Sequence, residues 1–433
     1  MSRVQGRLLE KSKGASKPGA VMAALDIGCS KITCMIARRD VDQPAKFTLL
    51  GAGRQQSRGF EGGAITDMEG LERSIRLAVE DAERQAGERI DNVVLGVTGS
   101  KLDCHLVSAS LPLGSAPVTA KDIKRVETTA LAKATVRARH ILTAHPVAYR
   151  LDDQDGVRDP RGMHGSRLGV LLSVVSAPES LLLNLIECVG RAHLNVEQLV
   201  PAAIATGMGT LIDDERDNGA ICIDLGAGVT TASVFINGVP AWQAIVPAGG
   251  MHVTNDLAQG LGTTFAAAER LKTIHGNTDP EAPGFAERID CPKLGDDGRL
   301  QAHRIERRVL SEIIAPRVEE TLEIIRDLMA DSQLKKVLPR RGVLTGGGSQ
   351  IAGLRDTASR MLSMPIRLGR PVSADRLGDV YANPSFSTAA GLLTYKLAPL
   401  SAVTHGQAAG DGVAGLATGG AVGKALFWIR ENF

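Results

Sequence analysis

Aromatic side chains make up only 3% of this 433-residue chain. Its interior must therefore be built mainly from Ala, Val, Leu and Ile, which suits α/β layers whose strands are buried on both faces. No apolar run reaches the roughly 18 residues of a membrane-spanning helix, so the chain is not expected to cross a bilayer. The opening stretch, MSRVQGRLLEKSKGASKPGA, is basic and turn-rich but lacks the long apolar segment and cleavage site of a secretory signal. It reads as a solvated, flexible arm over residues 1–20, with contact of Arg3, Arg7, Lys11, Lys13 and Lys17 to anionic lipid or a protein as the alternative. Charge is nearly balanced, 50 basic against 48 acidic side chains, so no nucleic-acid partner is expected. The six cysteines, Cys29, Cys34, Cys104, Cys188, Cys222 and Cys291, form no Cys-x-x-Cys pair and have no matched His pair. That argues against a structural metal and a disulfide framework, and for reduced cytosolic thiols. The chain is too long for one hydrophobic core, so at least two domains are expected.

Two stretches almost two hundred residues apart repeat one pattern. AALDIGCSKITCMIA carries Asp26 and Gly28; CIDLGAGVTTASVF carries Asp224 and Gly226. Each reads as an apolar strand, an Asp, a Gly, small polar residues and a second apolar strand. Long-range repetition of one unit implies two related half-domains facing each other across a cleft. A tight turn between such strands exposes consecutive backbone N–H groups as an anion nest, and Gly lets the chain come close to the anion. Phosphate is the expected guest. Two carboxylates beside it repel unless a divalent cation lies between them, and Mg²⁺ held through water by Asp26 and Asp224 meets that need.

The intervening segments organise around these units. Leu71, Ile75, Ala78, Val79 and Ala82 recur at helical spacing, predicting a helix over Met68–Ala86 that packs on a sheet. Asn92–Val97 reads as a strand, and the stretch from 92 to 176 as an inserted subdomain with a helix near Lys121–Arg137 and a polar loop, DDQDGVRDPRGMHGSR. A helix over about Pro178–Ala192 returns the chain to the first half. After the second unit come two helices separated by Gly260–Thr264. Glu269 and Lys272, three apart, share a helix face; from spacing alone they are an exposed ion pair. A long helix over Ile305–Met329 precedes RGVLTGGGSQIAGL, read as a strand, a turn at Gly346, Gly347 and Gly348, and a helix start that favours negative charge. A Gly run is weak by itself, but it gains force after two Asp-x-Gly hairpins in this order.

Phosphate hairpin, second phosphate hairpin and Gly-rich turn, in that sequence, resemble the actin, Hsp70 and sugar-kinase superfamily. RGFEGGAITD at Arg58–Asp67, HPVAYRLDDQDGVRDPRGMHGSRL at His145–Leu168 and the closing helix narrow the resemblance to the FtsA family of bacterial cell-division actin homologues. It covers about Val21–Lys396 and resumes at the C-terminus. The resemblance implies an actin-like (ribonuclease H-like) duplicated α/β fold with two lobes around a nucleotide cleft and an inserted α+β subdomain. It implies an ATP- and Mg-binding protein that polymerises head to tail, ties the tubulin-like FtsZ to the cytoplasmic face of the inner membrane at the division site, and recruits later division proteins. Carried over by position, Gly28, Cys29, Ser30 and Lys31 surround the terminal phosphates, with Asp26 near the metal. Asp224, Gly226, Gly228 and Thr230 form the second phosphate loop. Gly249 and Gly250 pass close to the nucleotide, Glu269 and Lys272 meet the nucleoside, and Gly346, Gly347, Gly348 and Ser349 cradle it. Cys29 stands where a small hydroxyl is common, and a thiol donates a weaker hydrogen bond to phosphate.

The same resemblance divides the chain into a first lobe at 21–91 with 177–218 and 373–398, the inserted subdomain at 92–176, a second lobe at 219–250 with 309–372, and its small subdomain at 251–308. The FtsZ tail is expected at 251–308 and downstream division proteins at 92–176. Hydrolysis requires a side chain that orients an in-line water. In filament-forming relatives that residue precedes the helix leading to the second hairpin, where this chain has the apolar Leu199, Val200 and Pro201. Glu197 is the nearest carboxylate and the one weak candidate, so ATP binding is expected and efficient turnover is not.

Residues 399–420, PLSAVTHGQAAGDGVAGLATGG, are small and nearly uncharged, the composition of a flexible tether with a reach of about 25 Å. AVGKALFWIRENF, residues 421–433, follows. On a helical wheel Val422, Leu426, Ile429 and Phe433 share one face, flanked by Phe427 and Trp428, so insertion into an anionic membrane surface is expected over docking on the protein's own core. A small-molecule kinase of the same superfamily would share the nucleotide motifs but have no use for a lipid-seeking tail. Too few residues follow Lys396 for an Hsp70-type peptide domain. An actin-like adaptor of another membrane machine, such as pilus assembly, is the closer rival.

Overall fold

The computed structural model describes residues 19–403 apart from 44–45, 135–137, 285, 296–298, 333, 335–338, 373–377 and 401. Most of the basic arm, the tether beyond Val403 and the segment 421–433, with Val422, Leu426, Phe427, Trp428, Ile429 and Phe433, lie outside the described residues.

The first lobe opens with β1 (Val21–Ile27), β2 (Lys31–Arg39) and β3 (Phe47–Gln56), an antiparallel meander. Helix α1 (Met68–Ala86) follows, begun by the Asp67 carboxylate accepting the Glu69 N–H at 3.0 Å and ended by Gly87. Its Leu71, Ile75 and Ala78 are buried against Leu25 and Ile27, the face that the sequence period selects. β4 (Asn92–Val97) then lies parallel to β1 inside this sheet, pairing Asp26 with Gly96. The inserted unit therefore begins after Val97 rather than at 92, because the strand's buried VVLGV run is covered on both sides by the first lobe.

The inserted unit comprises β5 (Asp103–Pro112), α2 (Ala120–Ala134), β6 (Arg139–Leu151), β7 (Gln154–Val157) and β8 (Arg167–Pro178). Its antiparallel sheet runs β5-β8-β6-β7, with Val126, Ala130 and Leu131 of α2 buried against Leu168, Val170 and Leu172. A register shift opposite Leu171 and Leu172 leaves Val147 as an extra residue. Bulges re-aim side chains, and Val147 is buried with Ile221 and Trp242 of the second lobe. The inserted unit thus hangs from the first lobe and leans on the second.

Helix α3 (Glu179–Arg191) and β9 (Asn195–Pro201) close the first lobe, and α4 (Ala202–Thr210) leaves it. The second lobe repeats the plan with β10 (Ala220–Leu225), β11 (Thr230–Ile236) and β12 (Val239–Val246), then α5 (Gly250–Leu261), α6 (Phe265–His275), α7 (Arg307–Asp331), β13 (Gly342–Thr345), α8 (Leu354–Leu362) and β14 (Ile366–Leu368). Sheet orders β9-β4-β1-β2-β3 and β14-β13-β10-β11-β12 match strand for strand and in direction. Asp26 pairs with Thr33 and Asp224 with Thr231, equivalent places in the two hairpins. The expected long helix starts two residues later than read, because Ile305 belongs to a short strand, Arg304–Glu306, paired with Arg288–Asp290.

Between the sheets lie two helices. Helix α9 (Ser387–Leu397), which follows the second lobe, packs on β1, β2 and β4. Helix α4, assigned by sequence to the first lobe within 177–218, lies mainly against β10, β11 and β12. Its nine residues are buried on every side, so no apolar stripe in the sequence discloses which sheet it covers. The helices meet through glycine: a Cβ on Gly391 would sit 1.8 Å from the Ala205 carbonyl oxygen. Gly391→Val should lower the unfolding free energy by about 3 kcal/mol or more, since backbone cannot yield as a side chain can. A urea midpoint equal to the parent's would contradict this.

The tether is shorter than read. Leu400 packs on the core between the lobes, and the Val403 N–H donates to the Ala144 carbonyl of β6 at 2.8 Å. Val403 also packs on the inserted unit's core, so the chain leaves the described structure from that unit.

Candidate nucleotide site

Three charged side chains converge where the hairpins meet. Asp26 is the last residue but one of β1, Asp224 the last but one of β10, and Lys31 starts β2. Lys31 Nζ donates to the Ser385 carbonyl at 2.5 Å and lies 3.8 Å from the Phe386 ring centre. Desolvation pushes the Asp26 carboxyl up to about 7, against the attraction of Lys31 and with a further push from Asp224. Burial brings Lys31 down to about 8, partly offset by Asp26. Asp224 is also raised by burial, with the Thr388 and Thr206 hydroxyls opposing that shift. Those hydroxyls stand 3.1 and 3.2 Å from Asp224 Oδ2. One comes from each inter-sheet helix, so the packing that joins the lobes also fixes this carboxylate. Thr206, Thr388, Ser385 and Phe386 were not singled out from sequence; the sole signal was a hydroxyl residue in the first turn or two of each of two helices.

The two Asp-x-Gly turns are built alike. Gly28 N–H bonds the Lys31 carbonyl at 3.1 Å, and Gly226 N–H bonds the Val229 carbonyl at 3.1 Å. Across the cleft they touch: a Cβ on Gly228 would lie 2.7 Å from Cys29 Sγ. Cys29 sits among the backbone amides of Gly62, Gly63 and Gly228, which oppose the rise that burial imposes on its thiol. Ser30 is exposed at the tip of its turn. Gly249 and Gly250 are stitched to the second turn, with Gly250 N–H to the Gly226 carbonyl at 2.9 Å.

Several expected contacts are committed elsewhere. The Thr230 hydroxyl donates to the Ala248 carbonyl at 2.7 Å, supporting the loop from behind. Lys272 Nζ binds Glu269 at 2.7 Å, Thr254 Oγ1 at 2.8 Å and the Gly250 carbonyl at 2.9 Å. Glu269 and Lys272 are thus an ion pair, as spacing alone indicated, but one anchored at the edge of the Gly249–Gly250 turn. Gly346 adopts φ 86°, and a Cβ there would meet Asp224 Oδ1 at 2.1 Å, so only glycine fits. Gly347, Gly348 and Ser349 form a short 3-10 turn, and α8 begins only at Leu354. The Ser349 hydroxyl closes that turn on the Gly346 carbonyl at 2.7 Å, and the helix start read at the end of RGVLTGGGSQIAGL falls at Leu354.

The comparisons with known proteins agree with this layout. Residues 221–391 match the family model described as Cell division protein FtsA, and residues 99–176 match the SHS2 domain inserted in FTSA. The Cell division protein FtsA of Rhizobium meliloti (strain 1021) is 39% identical over 427 residues, covering 96% of this chain and 96% of that protein. The chain belongs to the FtsA family. Among solved structures, the PilM-PilN type IV pilus biogenesis complex aligns with TM-score 0.63 at 16% identity, over 88% of this chain and 100% of that one. MreB5 of Spiroplasma citri bound to ADP aligns with TM-score 0.52 at 11% identity, over 88% and 97%. These two likenesses concern the fold, which is actin-like: duplicated lobes, a cleft and an inserted α+β unit. The inserted match starting at 99 agrees with the boundary that β4 sets. Membership in a cell-division family answers the kinase, chaperone and pilus-adaptor rivals.

In this FtsA-family chain Glu197 is poorly placed to orient water. It is the extra residue of a register shift in β9, between Val196 and Gln198. Its carboxylate pairs with Lys396 in the last turn of α9. Thr388, which contacts Asp224, lies eight residues earlier on that helix, about 12 Å along its axis. Among the described residues no helix is long and apolar enough to cross a membrane.

Proposed function

We propose that this chain binds Mg²⁺–ATP between its lobes, polymerises head to tail, and ties FtsZ to the cytoplasmic face of the inner membrane at the division site. The observation that carries the nucleotide reading is the convergence of Asp26, Asp224 and Lys31, one carboxylate per lobe, on a single cleft. Among the described residues no group of three acidic, His or Cys side chains could cage a metal. Two desolvated carboxylates fit Mg²⁺ that keeps its waters and takes its remaining ligands from phosphate. The bound ion would neutralise charge on the phosphates; Lys31 would hold them from the first hairpin, and the Gly28–Ser30 and Gly226–Gly228 amides would cradle them. With Glu197 held by Lys396, nucleotide acts as a clamp that closes the lobes rather than as fuel for rapid turnover.

The free-protein pKa values set a pH profile. Asp26, raised to about 7, must be ionised to face the metal, so affinity should climb as pH rises towards that value. Lys31, lowered to about 8, loses its charge beyond that point, and affinity should fall again. Calorimetric titration of Mg²⁺–ATP should therefore find a maximum between the two values. A flat profile from about pH 6 to about pH 9 would contradict it.

Residues 251–308 are proposed to receive the FtsZ tail, the unit after Val97 to meet downstream division proteins, and 421–433 to insert into anionic membrane. The amphipathic pattern beyond a Gly- and Ala-rich tether supports the last. Titrating FtsZ tail peptide into the full chain should slow hydrogen exchange within 251–308. Unchanged exchange there at saturating peptide would move the FtsZ site elsewhere.

A further inference from the structure

A groove of about 500 Å³ lies between the inserted unit and the second lobe. Ala120 and Ile123 of α2, Val147 and Tyr149 of β6, and Val239 of β12 line it, together with Val403, where the described chain ends. We propose that the C-terminal segment 421–433 docks in this groove when no membrane is present, its Trp428 side filling the apolar floor. The inference rests on the reading of that segment as lipid-seeking.

Three observations point to this occupant. The groove's volume falls within the range of about 300–1,000 Å³ typical of pockets that bury a small ligand, enough for an aromatic anchor and a neighbour. Its lining mixes Ile123, Val147 and Val239 with charged side chains of both signs, Lys124, Glu127, Arg158 and Asp159, which suits a segment that carries Lys424, Arg430 and Glu431 beside its apolar face. Chain continuity selects this segment over any separate partner. Val403, which lines the groove, donates its N–H to the Ala144 carbonyl, and a Gly- and Ala-rich stretch as long as 404–420 would reach about 20–25 Å by random-coil scaling.

Such a tether holds the segment near the groove at an effective concentration on the order of 1 mM. An intrinsic affinity of about 0.1 mM then leaves it docked about nine-tenths of the time. The same apolar face cannot contact lipid and groove together, so docking weakens vesicle binding about tenfold. The docked segment also bridges the inserted unit and the second lobe, which it shares no contact with once in lipid.

The test uses the full chain and Ala120→Arg, a change at an exposed first residue of α2 that blocks the groove. Trp428 fluorescence is isolated by subtracting the Trp428→Phe spectrum. Without vesicles, Trp428 should be blue-shifted and shielded from acrylamide, and Ala120→Arg should expose it. Vesicles of phosphatidylethanolamine and phosphatidylglycerol should bind Ala120→Arg about tenfold more tightly than the parent. Val239→Arg, placed on the opposite wall, should reproduce both effects. Trp428 as exposed in the parent as in the free peptide, or equal vesicle affinity in parent and both variants, overturns the proposal. Burial that grows with protein concentration also overturns it, assigning the groove to another copy's tail. Burial released by Ala120→Arg, in a chain that binds no vesicles at all, upholds docking and refutes the membrane reading alone.

Discussion

Asp26→Asn is expected to weaken Mg²⁺–ATP binding by about 10- to 100-fold, the equivalent of about 1.5–3 kcal/mol for a lost charge-assisted contact, while making the nucleotide-free protein more heat-stable. The opposed signs follow from one fact. In the folded chain the Asp26 pKa is raised from 3.8 to about 7, so between those values the folded state holds a proton that the unfolded state has released. The stability contributed by this carboxyl is therefore highest at low pH, falls as pH rises through that window, and is lost above it. Asn carries no charge to desolvate, so above about pH 7 the variant should unfold several degrees higher than the parent. Asp224→Asn should weaken binding similarly but gain less stability, because the Thr388 and Thr206 hydroxyls already favour its charged form. Calorimetry for affinity and scanning calorimetry for stability give both signs. Undiminished affinity in both variants would remove the metal-bridged nucleotide from the proposal.

Trp428→Glu, or removal of Ala421–Phe433, should release the full chain from phosphatidylglycerol-containing vesicles and leave ATP affinity unchanged. Burying four or five apolar side chains yields about 6–15 kcal/mol gross, at about 1.5–3 kcal/mol each. The cost of ordering and lost freedom reduces this, so on the proposed reading one copy should bind reversibly. Replacing the largest anchor with a carboxylate removes its burial and adds a charge to desolvate, a loss on the order of 100-fold. If the proposed head-to-tail assembly forms, joined copies would present further anchors at high effective concentration, so membrane residence should strengthen with assembly. Flotation of vesicles with parent and variant protein reads the effect directly, and continued flotation of both variants would dispose of the anchor.

The repeated Asp-x-Gly hairpins disclosed the duplication because strand, turn and strand are local, and the same residues build the same turn wherever they occur. The two sheets accordingly agree in order, direction and register of Asp26 and Asp224. Ser349 and Thr230 were less legible: their hydroxyls serve the turn backbone rather than the cleft, and a motif does not record which way a side chain is used. Glu197 was the nearest carboxylate in sequence, but a bulge and Lys396 on a distant helix decide its role.

The sequence by itself determined the local units, namely the Asp-x-Gly turns, the amphipathic α1 and the composition of the C-terminal segment, because each depends on neighbours within a few residues. Tertiary structure alone decided that α4 crosses to the second sheet, that Thr206 and Thr388 hold Asp224, and that Val147 and Val403 tie the inserted unit to its surroundings. Those contacts join residues tens to hundreds of positions apart. Their energy comes from close packing and desolvation, which depend on what folding brings together rather than on what lies adjacent in the chain.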